Sequence, residues 1–325
     1  MSLGVSRRSF IRGLGSAVAA GVTVPVPAQA ASSPALLYPP TDLSYFDTPI
    51  ASSPGDIRIG YAAITWGANE RQAIDDIAAL GFPGIQLRAN AVEEFVSGAK
   101  LRDLLEQRKL LLVALSSGSL SIDPAVETGQ IARHTANAKF VHDAGGLYLQ
   151  ITDQSPKDRQ IAAPDYKRLG RLLTELGKRT ADLGVTLGYH NHWGTMSERP
   201  EALEQILEAT DPRYARLELD VAHYFVGHGD PAKAIARHHD RLLFLHIKDA
   251  EWLPHDTGAP KSPYRFVELG RGQVDLPAVF HALNKANFRG WAIVELDSVP
   301  DPAGTPRESA VICKKYLEEK LGLKV

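Results

Sequence analysis

The sequence predicts a single large α/β domain folded as a (β/α)₈ TIM barrel. Short apolar runs alternate with amphipathic helical patterns, and glycine stands at many joints, as in "AALGFPGIQL" and "ADLGVTLGYH". About eight strands can be counted, at 57–64, 84–88, 111–116, 147–152, 185–190, 216–220, 242–247 and 291–296. Eight such units close most simply into a barrel. The alternative, a doubly wound open sheet, lacks a G-x-G-x-x-G after the first strand.

Composition is that of an ordinary globular protein, and it narrows the classes of partner. The chain has 325 residues, of which 44% are hydrophobic and 23% charged, enough to bury a large core. Its formal net charge is -2 with both signs mixed along the chain, so no nucleic-acid partner is expected. The single cysteine, Cys313, excludes an intrachain disulfide and a cysteine zinc site, and we expect it in a surface helix.

The first thirty residues resemble a twin-arginine export signal. Arg7 and Arg8 precede the small apolar run 13–24, and "AQA" at 28–30 offers a cleavage site. A disordered basic tail is the alternative, but the three features stand in the order of a signal peptide. The apolar run is too short for a membrane anchor, so we expect a periplasmic or extracellular protein.

A linker and the barrel domain follow this segment. Residues 31–54 are rich in Pro and Ser and predict an extended linker. The alternating strand and helix patterns then begin, so the barrel domain is expected at 55–325. The sequence does not predict an oligomeric state.

Polar side chains point into the predicted barrel from its last four strands. Alternation along "VTLGYHNH" places Leu187 and Tyr189 on one face and both His190 and His192 on the other. The same alternation directs a second set inward from the next three strands: Glu218, Asp220, His246, Lys248, Glu295 and Asp297. These positions lie at the carboxyl ends of the strands, where barrel enzymes carry their chemistry.

Four of these side chains predict one divalent metal ion: His190, Asp220, His246 and Glu295. A lone inward histidine is more often a hydrogen-bonded core residue than a ligand. Two carboxylates buried together without a cation, however, would cost several kcal/mol, which favours a metal. Imidazole and carboxylate ligands suit Mn²⁺, Co²⁺, Mg²⁺ or Zn²⁺, and the sequence does not choose among them.

Other candidates surround the predicted mouth. Lys248 is either an oxyanion partner or a surface partner of Asp249. Arg271 in "GRG" either belongs only to a turn before the next helix or also reaches a substrate oxygen. Three tryptophans follow predicted strands and are expected either to stack on a substrate ring or to pack on the rim: Trp66, Trp193 and Trp252. Five histidines in helical patterns are expected at the surface: His134, His142, His238, His239 and His281.

Four segments resemble a known superfamily. "ELDVAHYFVGHGDP", "FLHIKDAEW", "LGRGQVD" and "GWAIVELD" are similar to the xylose-isomerase-like sugar isomerases and epimerases, and most to the branch of inosose dehydratases and related keto-sugar enzymes. The resemblance covers roughly 57–321 and is strongest in the C-terminal half. It implies a barrel with one metal ion, in which Asp220, His246 and Glu295 match the ligand positions and His223 matches a residue near the substrate.

The sequence departs from this pattern at His190, where the epimerases carry a glutamate. Those enzymes use that glutamate and the strand-eight glutamate on opposite faces of the substrate. The departure predicts a site with one base, for which Glu295 is the expected residue. His192 or His223 would then protonate a departing hydroxyl or return the proton to a neighbouring carbon.

Three functions remain open at this point. The first is a metal-dependent isomerase or epimerase that removes a proton next to the carbonyl of a keto-sugar or inosose. The second is a lyase, either a dehydratase of an inosose or an enzyme that eliminates across a 3-keto-glycoside. The third is a noncatalytic exported sugar-binding protein, which the full set of ligand-type and acid-base side chains disfavours. All three take a sugar or polyol as the small-molecule ligand.

Overall fold

The computed structural model of the chain describes residues 57–253 and 263–325. The predicted signal peptide (1–30) and linker (31–54) lie outside the described residues. Eight parallel strands close into a barrel in the order β1-β10-β7-β6-β5-β4-β3-β2, which confirms the predicted fold class. The barrel strands are β1 Ile57–Ala62, β2 Gly84–Arg88, β3 Leu111–Ser121, β4 Tyr148–Gln154, β5 Thr186–His190, β6 Ala215–Asp220, β7 Leu242–Ile247 and β10 Gly290–Val294.

Helices surround the barrel and connect its strands. They are α1 Glu70–Ala79, α2 Asn90–Phe95, α3 Gly98–Gln107, α4 Glu127–Asp143, α5 Ala163–Ala181, α6 Pro200–Glu208, α7 Val221–Val226, α8 Pro231–His238, α9 Leu276–Lys285 and α10 Pro306–Glu319. Several begin at a side-chain cap, as at α9, where Asp275 accepts a hydrogen bond from the Ala278 amide. None of the helices in the described residues is long and apolar enough to cross a membrane.

Aromatic side chains fill the amino-terminal end of the barrel interior. The rings of Tyr148 and Phe244 stack with centroids 5.2 Å apart, and the buried Trp291 lies in the same cluster. Gly84 lacks a Cβ where the Trp291 ring would lie only 2.4 Å away, so this packing requires glycine. Because the floor is closed by packed rings, the polar interior is confined to the carboxyl end.

A two-stranded hairpin after β7 is the main element that the sequence did not predict. Strands β8 (Asp249–Trp252) and β9 (Tyr264–Val267) pair antiparallel, with Trp252 opposite Tyr264. The nine residues between Leu253 and Pro263 lie outside the described part of the chain. The hairpin places aromatic side chains beside the carboxyl end of the barrel.

Three predicted surface positions are buried, and those predictions were wrong. Cys313 is 1% exposed and lies within hydrogen-bonding reach of the Tyr61 hydroxyl, because this face of α10 packs on the barrel. His134 is fully buried between α4 and β3, where its Nδ1 contacts the Ser117 hydroxyl at 2.7 Å. His238 is buried at the end of α8. The other three helical histidines are exposed, as expected.

Candidate active site

The four predicted ligand residues meet at the carboxyl end of the barrel. His190 and Asp220 are the last residues of β5 and β6, His246 lies in β7 beside Asp220, and Glu295 directly follows β10. His246 Nδ1 lies 3.6 Å from Asp220 Oδ2 and 3.3 Å from Glu295 Oε1. The His190 and His246 rings are 4.8 Å apart between centroids. Parallel strands that end at one edge bring these side chains together.

The donor atoms of this cluster fit a metal ion. Ligand atoms of His190, Asp220 and His246 all lie within 4.8 Å of one another, and all three residues are buried. Within the described residues, no hydrogen-bond partner reaches His190 Nδ1, Asp220 Oδ2 or His246 Nδ1. Buried polar atoms without partners are costly, so their presence in three adjacent residues favours a ligand between those residues. Mixed imidazole and carboxylate donors suit a divalent cation.

The electrostatics match the protonation states that a metal requires at His190 and Glu295, whereas at His246 the carboxylates of Glu218 and Glu295 outweigh burial and raise the pKa, so this imidazole must lose a proton when a metal binds. Burial, with help from His246, lowers the pKa of His190 well below its usual range, so this imidazole is neutral. Burial alone would raise the pKa of Glu295, but His246 and Lys248 lower it well below normal. Neutral imidazole and ionised carboxylate are the forms that bind metals.

Lys248 is fully buried in the site. Its Nζ donates to Glu295 Oε1 at 3.0 Å and to Asp297 Oδ1 at 2.5 Å, and it lies 4.0 Å from the centroid of the Phe266 ring. Burial opposes the charge, but the carboxylates of Asp297 and Glu295 raise the pKa of Lys248 above its usual value. The amine is therefore a permanent cation that holds Glu295 in place.

Asp249 is not the surface partner of Lys248 that the sequence allowed. Its carboxylate is buried and accepts hydrogen bonds from the backbone amides of Gly270, Gly272 and Val274. Through these hydrogen bonds, Asp249 fixes the loop after β9 next to the end of β7. The contact explains why Gly272 is glycine, since a Cβ there would lie 2.2 Å from Asp249 Oδ1.

His192 and His223 stack beside the cluster and have opposite hydrogen-bonding roles. Their ring centroids are 3.7 Å apart. The backbone N–H of Trp193 donates to His223 Nδ1 at 3.2 Å, so the ring hydrogen of neutral His223 lies on Nε2. The carbonyl of Trp193 lies 2.6 Å from His192 Nδ1 and can only accept, so His192 carries its hydrogen there and leaves Nε2 as an acceptor.

These roles distinguish two possible metal sites. His190, His192 and His223 also bring ligand atoms within 4.8 Å of one another. His223 Nε2, however, carries the hydrogen and faces Lys248 Nζ at 3.4 Å, which makes that nitrogen a poor ligand. The group formed by His190, Asp220 and His246 therefore fits a metal ion better than the group formed by His190, His192 and His223.

The three candidate tryptophans have different surroundings. Trp193 is half-buried and meets Tyr264 of the hairpin edge-on at 5.6 Å, while Trp252 stacks on His228 at 5.4 Å. Both belong to an aromatic group at the hairpin. Trp66 is buried, donates its indole N–H to Asp76 on α1 at 2.8 Å, and packs in the core around the barrel. It does not line the mouth in this arrangement.

Some residues of the site were not identified from the sequence. Gln86 on β2 contacts His246, and Phe266 of β9 packs against Lys248 and against His223 at 4.9 Å. Gln86 is inward by strand alternation, but a glutamine carries no strong signal, and Phe266 lies in the hairpin that was not predicted. Arg271 lies in the loop held by Asp249, with Nη1 3.4 Å from Glu268.

The architecture and the site can be compared with known proteins. Residues 74–315 match the family model described as "Xylose isomerase-like TIM barrel". The chain belongs to this family. The match covers most of the chain, including all four ligand-type residues, and confirms the resemblance found in the sequence.

Curated relatives and solved structures extend the comparison. The chain is 25% identical over 298 residues to the inosose dehydratase of Bacillus velezensis, covering 82% of this chain and 97% of the relative, and the relative from Lacticaseibacillus casei matches equally. The zinc-bound IOLI protein has a TM-score of 0.69 at 19% identity, covering 81% of this chain and 97% of that one. The D-allulose 3-epimerase of Methylomonas sp. has a TM-score of 0.65 at 19% identity, covering 84% and 99%. The two structural likenesses support the fold.

Proposed function

We propose that this protein is a divalent-metal-dependent enzyme that removes the proton next to the carbonyl of an inosose or keto-sugar and then eliminates a hydroxyl group as water. The observation that carries the proposal is the cluster of unpartnered buried donor atoms of His190, Asp220 and His246 beside two histidines of opposite hydrogen-bonding role. The inosose dehydratase relatives, at 25% identity over most of their length, support a small-molecule sugar substrate and this reaction class.

His190, Asp220, His246 and Glu295 would hold the metal ion. When bound, it would supply Lewis-acid polarisation of the substrate carbonyl and so lower the pKa of the adjacent C–H. Glu295 suits a ligand better than a base, because its ionised form is already stabilised by Lys248 at 3.0 Å. This reassigns the base from Glu295, the residue favoured by the sequence, to His192.

His192 is the group best suited to accept the substrate proton. Its Nδ1–H is held by the Trp193 carbonyl, which orients the ring, and its Nε2 lone pair is free to act as a base. The C–H bond breaks, its proton moves to His192 Nε2, and the electron pair forms the enolate. The carbon–oxygen bond at the next carbon then breaks, and His192 returns the proton to the leaving hydroxyl as water.

His223 and Lys248 would assist without moving that proton. His223 presents its Nε2–H towards the site and is suited to donate a hydrogen bond to a substrate oxygen. Burial lowers the pKa of His223 well below its usual range, so it stays neutral. Lys248 holds Glu295 and adds positive charge where the enolate develops. Trp193, Trp252 and Arg271 are proposed as substrate contacts on the rim.

Isomerisation of a keto-sugar is the second candidate. It needs the same first step, after which His192 would return the proton to the neighbouring carbon instead of the leaving hydroxyl. Two histidine rings only 3.7 Å apart on one side of the site favour transfer by a single base over inversion by two. The fold shared with sugar epimerases does not decide the reaction.

A substrate panel tests the proposal. Protein loaded separately with Mn²⁺, Co²⁺, Mg²⁺ or Zn²⁺ is incubated with inososes, keto-sugars and 3-keto-glycosides, and the products are identified by NMR. We expect loss of water from an inosose, or a shifted carbonyl from a keto-sugar in the second candidate. Inversion at C3 as the main outcome, or conversion of no compound with any metal, would reject the proposed chemistry.

We also propose that the protein is exported through the twin-arginine route to the periplasm or beyond. The proposal rests on Arg7 and Arg8, the apolar run 13–24 and the small residues at 28–30. Export of folded protein would let the metal bind before the chain crosses the membrane.

A further inference from the structure

Glu218 has no role in the proposed reaction, yet it is fully buried inside the barrel next to the four ligand-type residues. It points into the barrel from β6, two residues before Asp220, and its exposed surface is 0%. Its Oε1 lies 2.8 Å from His246 Nε2 and 3.7 Å from His190 Nδ1. No other cationic side chain is recorded in contact with this carboxylate among the described residues.

The nitrogen that Glu218 contacts faces a second oxygen. His246 Nε2 also lies 2.9 Å from Gln86 Oε1, in line for a hydrogen bond, while the Glu218 oxygen lies to the side of the N–H bond. Both neighbours are oxygen atoms that attract a hydrogen on Nε2. The opposite nitrogen, Nδ1, faces Asp220 and Glu295 and has no hydrogen-bond partner within the described residues.

We propose that Glu218 is a positioning residue that, together with Gln86, keeps the hydrogen of His246 on Nε2 and so presents the Nδ1 lone pair to the metal ion. A metal ligand must be unprotonated at the binding nitrogen, so fixing this tautomer before the metal arrives raises affinity. A carboxylate behind a ligating imidazole also makes the ring a stronger donor. This inference rests on the metal site of the proposed function but not on the reaction.

The geometry accounts for a buried carboxylate that is otherwise unfavourable. An ionised carboxylate at this depth would be expected to lower the stability of the metal-free protein. A cation held by the opposite nitrogen of the His246 ring would offset that cost. Glu218 therefore belongs to the metal centre even though it does not reach the metal.

The variant Glu218→Gln tests the inference, because it keeps the size of the side chain and removes its charge. Affinity for Co²⁺ and Zn²⁺ is measured by titration and competition with a chelator. We expect a loss of about ten- to a hundred-fold in affinity. Melting of the metal-free variant should be equal to or higher than that of the wild type, since a buried charge has been removed. Glu218→Asp, which keeps the charge on a shorter side chain, should recover part of the affinity.

Glu70→Gln is the matched control. Glu70 is also fully buried and carries a raised pKa from burial, but it lies on α1 beside Arg88 and does not touch the cluster. We expect its metal affinity to equal that of the wild type. If Glu70→Gln loses as much affinity as Glu218→Gln, the effect is general destabilisation and the inference is wrong.

Nitrogen NMR shows which ring nitrogen of His246 carries the hydrogen. If Glu218 only supported the fold, its substitution would not change this tautomer. In the metal-free protein, at a pH high enough for His246 to be neutral and with His246→Asn used to assign the signal, the wild type should show the Nε2–H form of His246, and Glu218→Gln should show a mixture of both forms. Wild-type affinity in Glu218→Gln, or an Nδ1–H form in the wild type, would overturn the inference. Metal binding that depends on Glu218 without turnover of any sugar would support it while rejecting the proposed function.

Discussion

His192 and His223 stack with their centroids 3.7 Å apart, and one residue, Trp193, sets the hydrogen-bonding role of both. Its N–H makes His223 Nδ1 an acceptor, and its C=O makes His192 Nδ1 a donor. The Nε2 atom of His223, which lies 3.4 Å from Lys248 Nζ, is therefore a hydrogen-bond donor, and the Nε2 atom of His192 is an acceptor. Two adjacent histidine rings thus receive different hydrogen-bonding roles from the backbone of one residue.

The first prediction separates the two histidines of "YHNH". His190→Ala should weaken metal binding, because it removes a buried ligand at the end of β5. His192→Ala should retain the metal and lose turnover, by about a hundred- to ten-thousand-fold if it is the general base. Metal content by elemental analysis and steady-state rates check both variants.

The opposite pattern would contradict these assignments. If His192→Ala loses the metal while His190→Ala keeps it, the ion binds at His192 and His223. Asn191, which lies between them and bonds to the backbone of Asp220, should not be used as a control because it orders the strand ends.

The second prediction concerns removal of the metal. Lys248 supplies one positive charge beside the buried carboxylates of Asp220 and Glu295, which does not neutralise both, so a chelator should lower the melting temperature. At a free ion concentration a thousand times the Kd, binding would add about 4 kcal/mol to the free energy of unfolding. Asp220→Asn should melt at the same temperature with and without metal. Chelator-insensitive melting of the wild type, with no metal found by elemental analysis, would refute the site.

The third prediction is a pH dependence of stability that is independent of the site. Burial lowers the pKa of His134 to about 4 from an ordinary value of 6.5. The unfolded chain therefore binds the proton first, and stability falls as the pH drops from about 6.5 to about 4. From about pH 7.5 to about pH 5 the loss from this residue is about 2 kcal/mol. Urea unfolding at the two pH values measures it.

His134→Asn should remove that part of the slope. His142→Asn is the matched control, since His142 is an exposed histidine on the same helix. It should leave the pH dependence unchanged. An identical slope in the wild type and His134→Asn would show that His134 does not titrate as its burial implies.

The fourth prediction concerns export. Changing Arg7 and Arg8 together to Lys should retain the precursor in the cytoplasm, because the paired arginines are the recognised feature of the signal. Cell fractionation followed by detection of the protein measures the distribution. Undiminished export of the double variant would reject the twin-arginine assignment.

Strand patterns and alternation were sufficient to predict the barrel and the inward direction of its ligand-type residues. Period-two alternation is rigid, so the direction of Asp220 and His246 follows once β6 and β7 are recognised. The meeting of the four ligand-type side chains could also be predicted, because parallel strands end at one edge of the barrel. Alternation directs Lys248 inward as well, but this residue lies one position beyond β7, and its full burial depends on the partners Glu295 and Asp297.

Other features depended on contacts between distant parts of the chain. The tautomers of His192 and His223 are set by the backbone of Trp193, which a pattern of side chains does not reveal. The burial of His134 depends on Ser117, a small residue of β3 that leaves room for the ring. The β8–β9 hairpin was missed because its two strands have only four residues each.

The most direct test of the account is proton exchange next to the substrate carbonyl. Metal-loaded protein is incubated in D₂O with an inosose or keto-sugar that it converts, and deuterium is located by NMR and mass spectrometry in the product and the recovered substrate. We predict that the hydrogen at the carbon adjacent to the carbonyl is exchanged for deuterium in recovered substrate, or is lost from that carbon in an eliminated product, and that neither occurs with His192→Ala or after removal of the metal. A product that keeps the original hydrogen at that carbon, or equal exchange by His192→Ala, would contradict proton abstraction by His192 at a metal-dependent site.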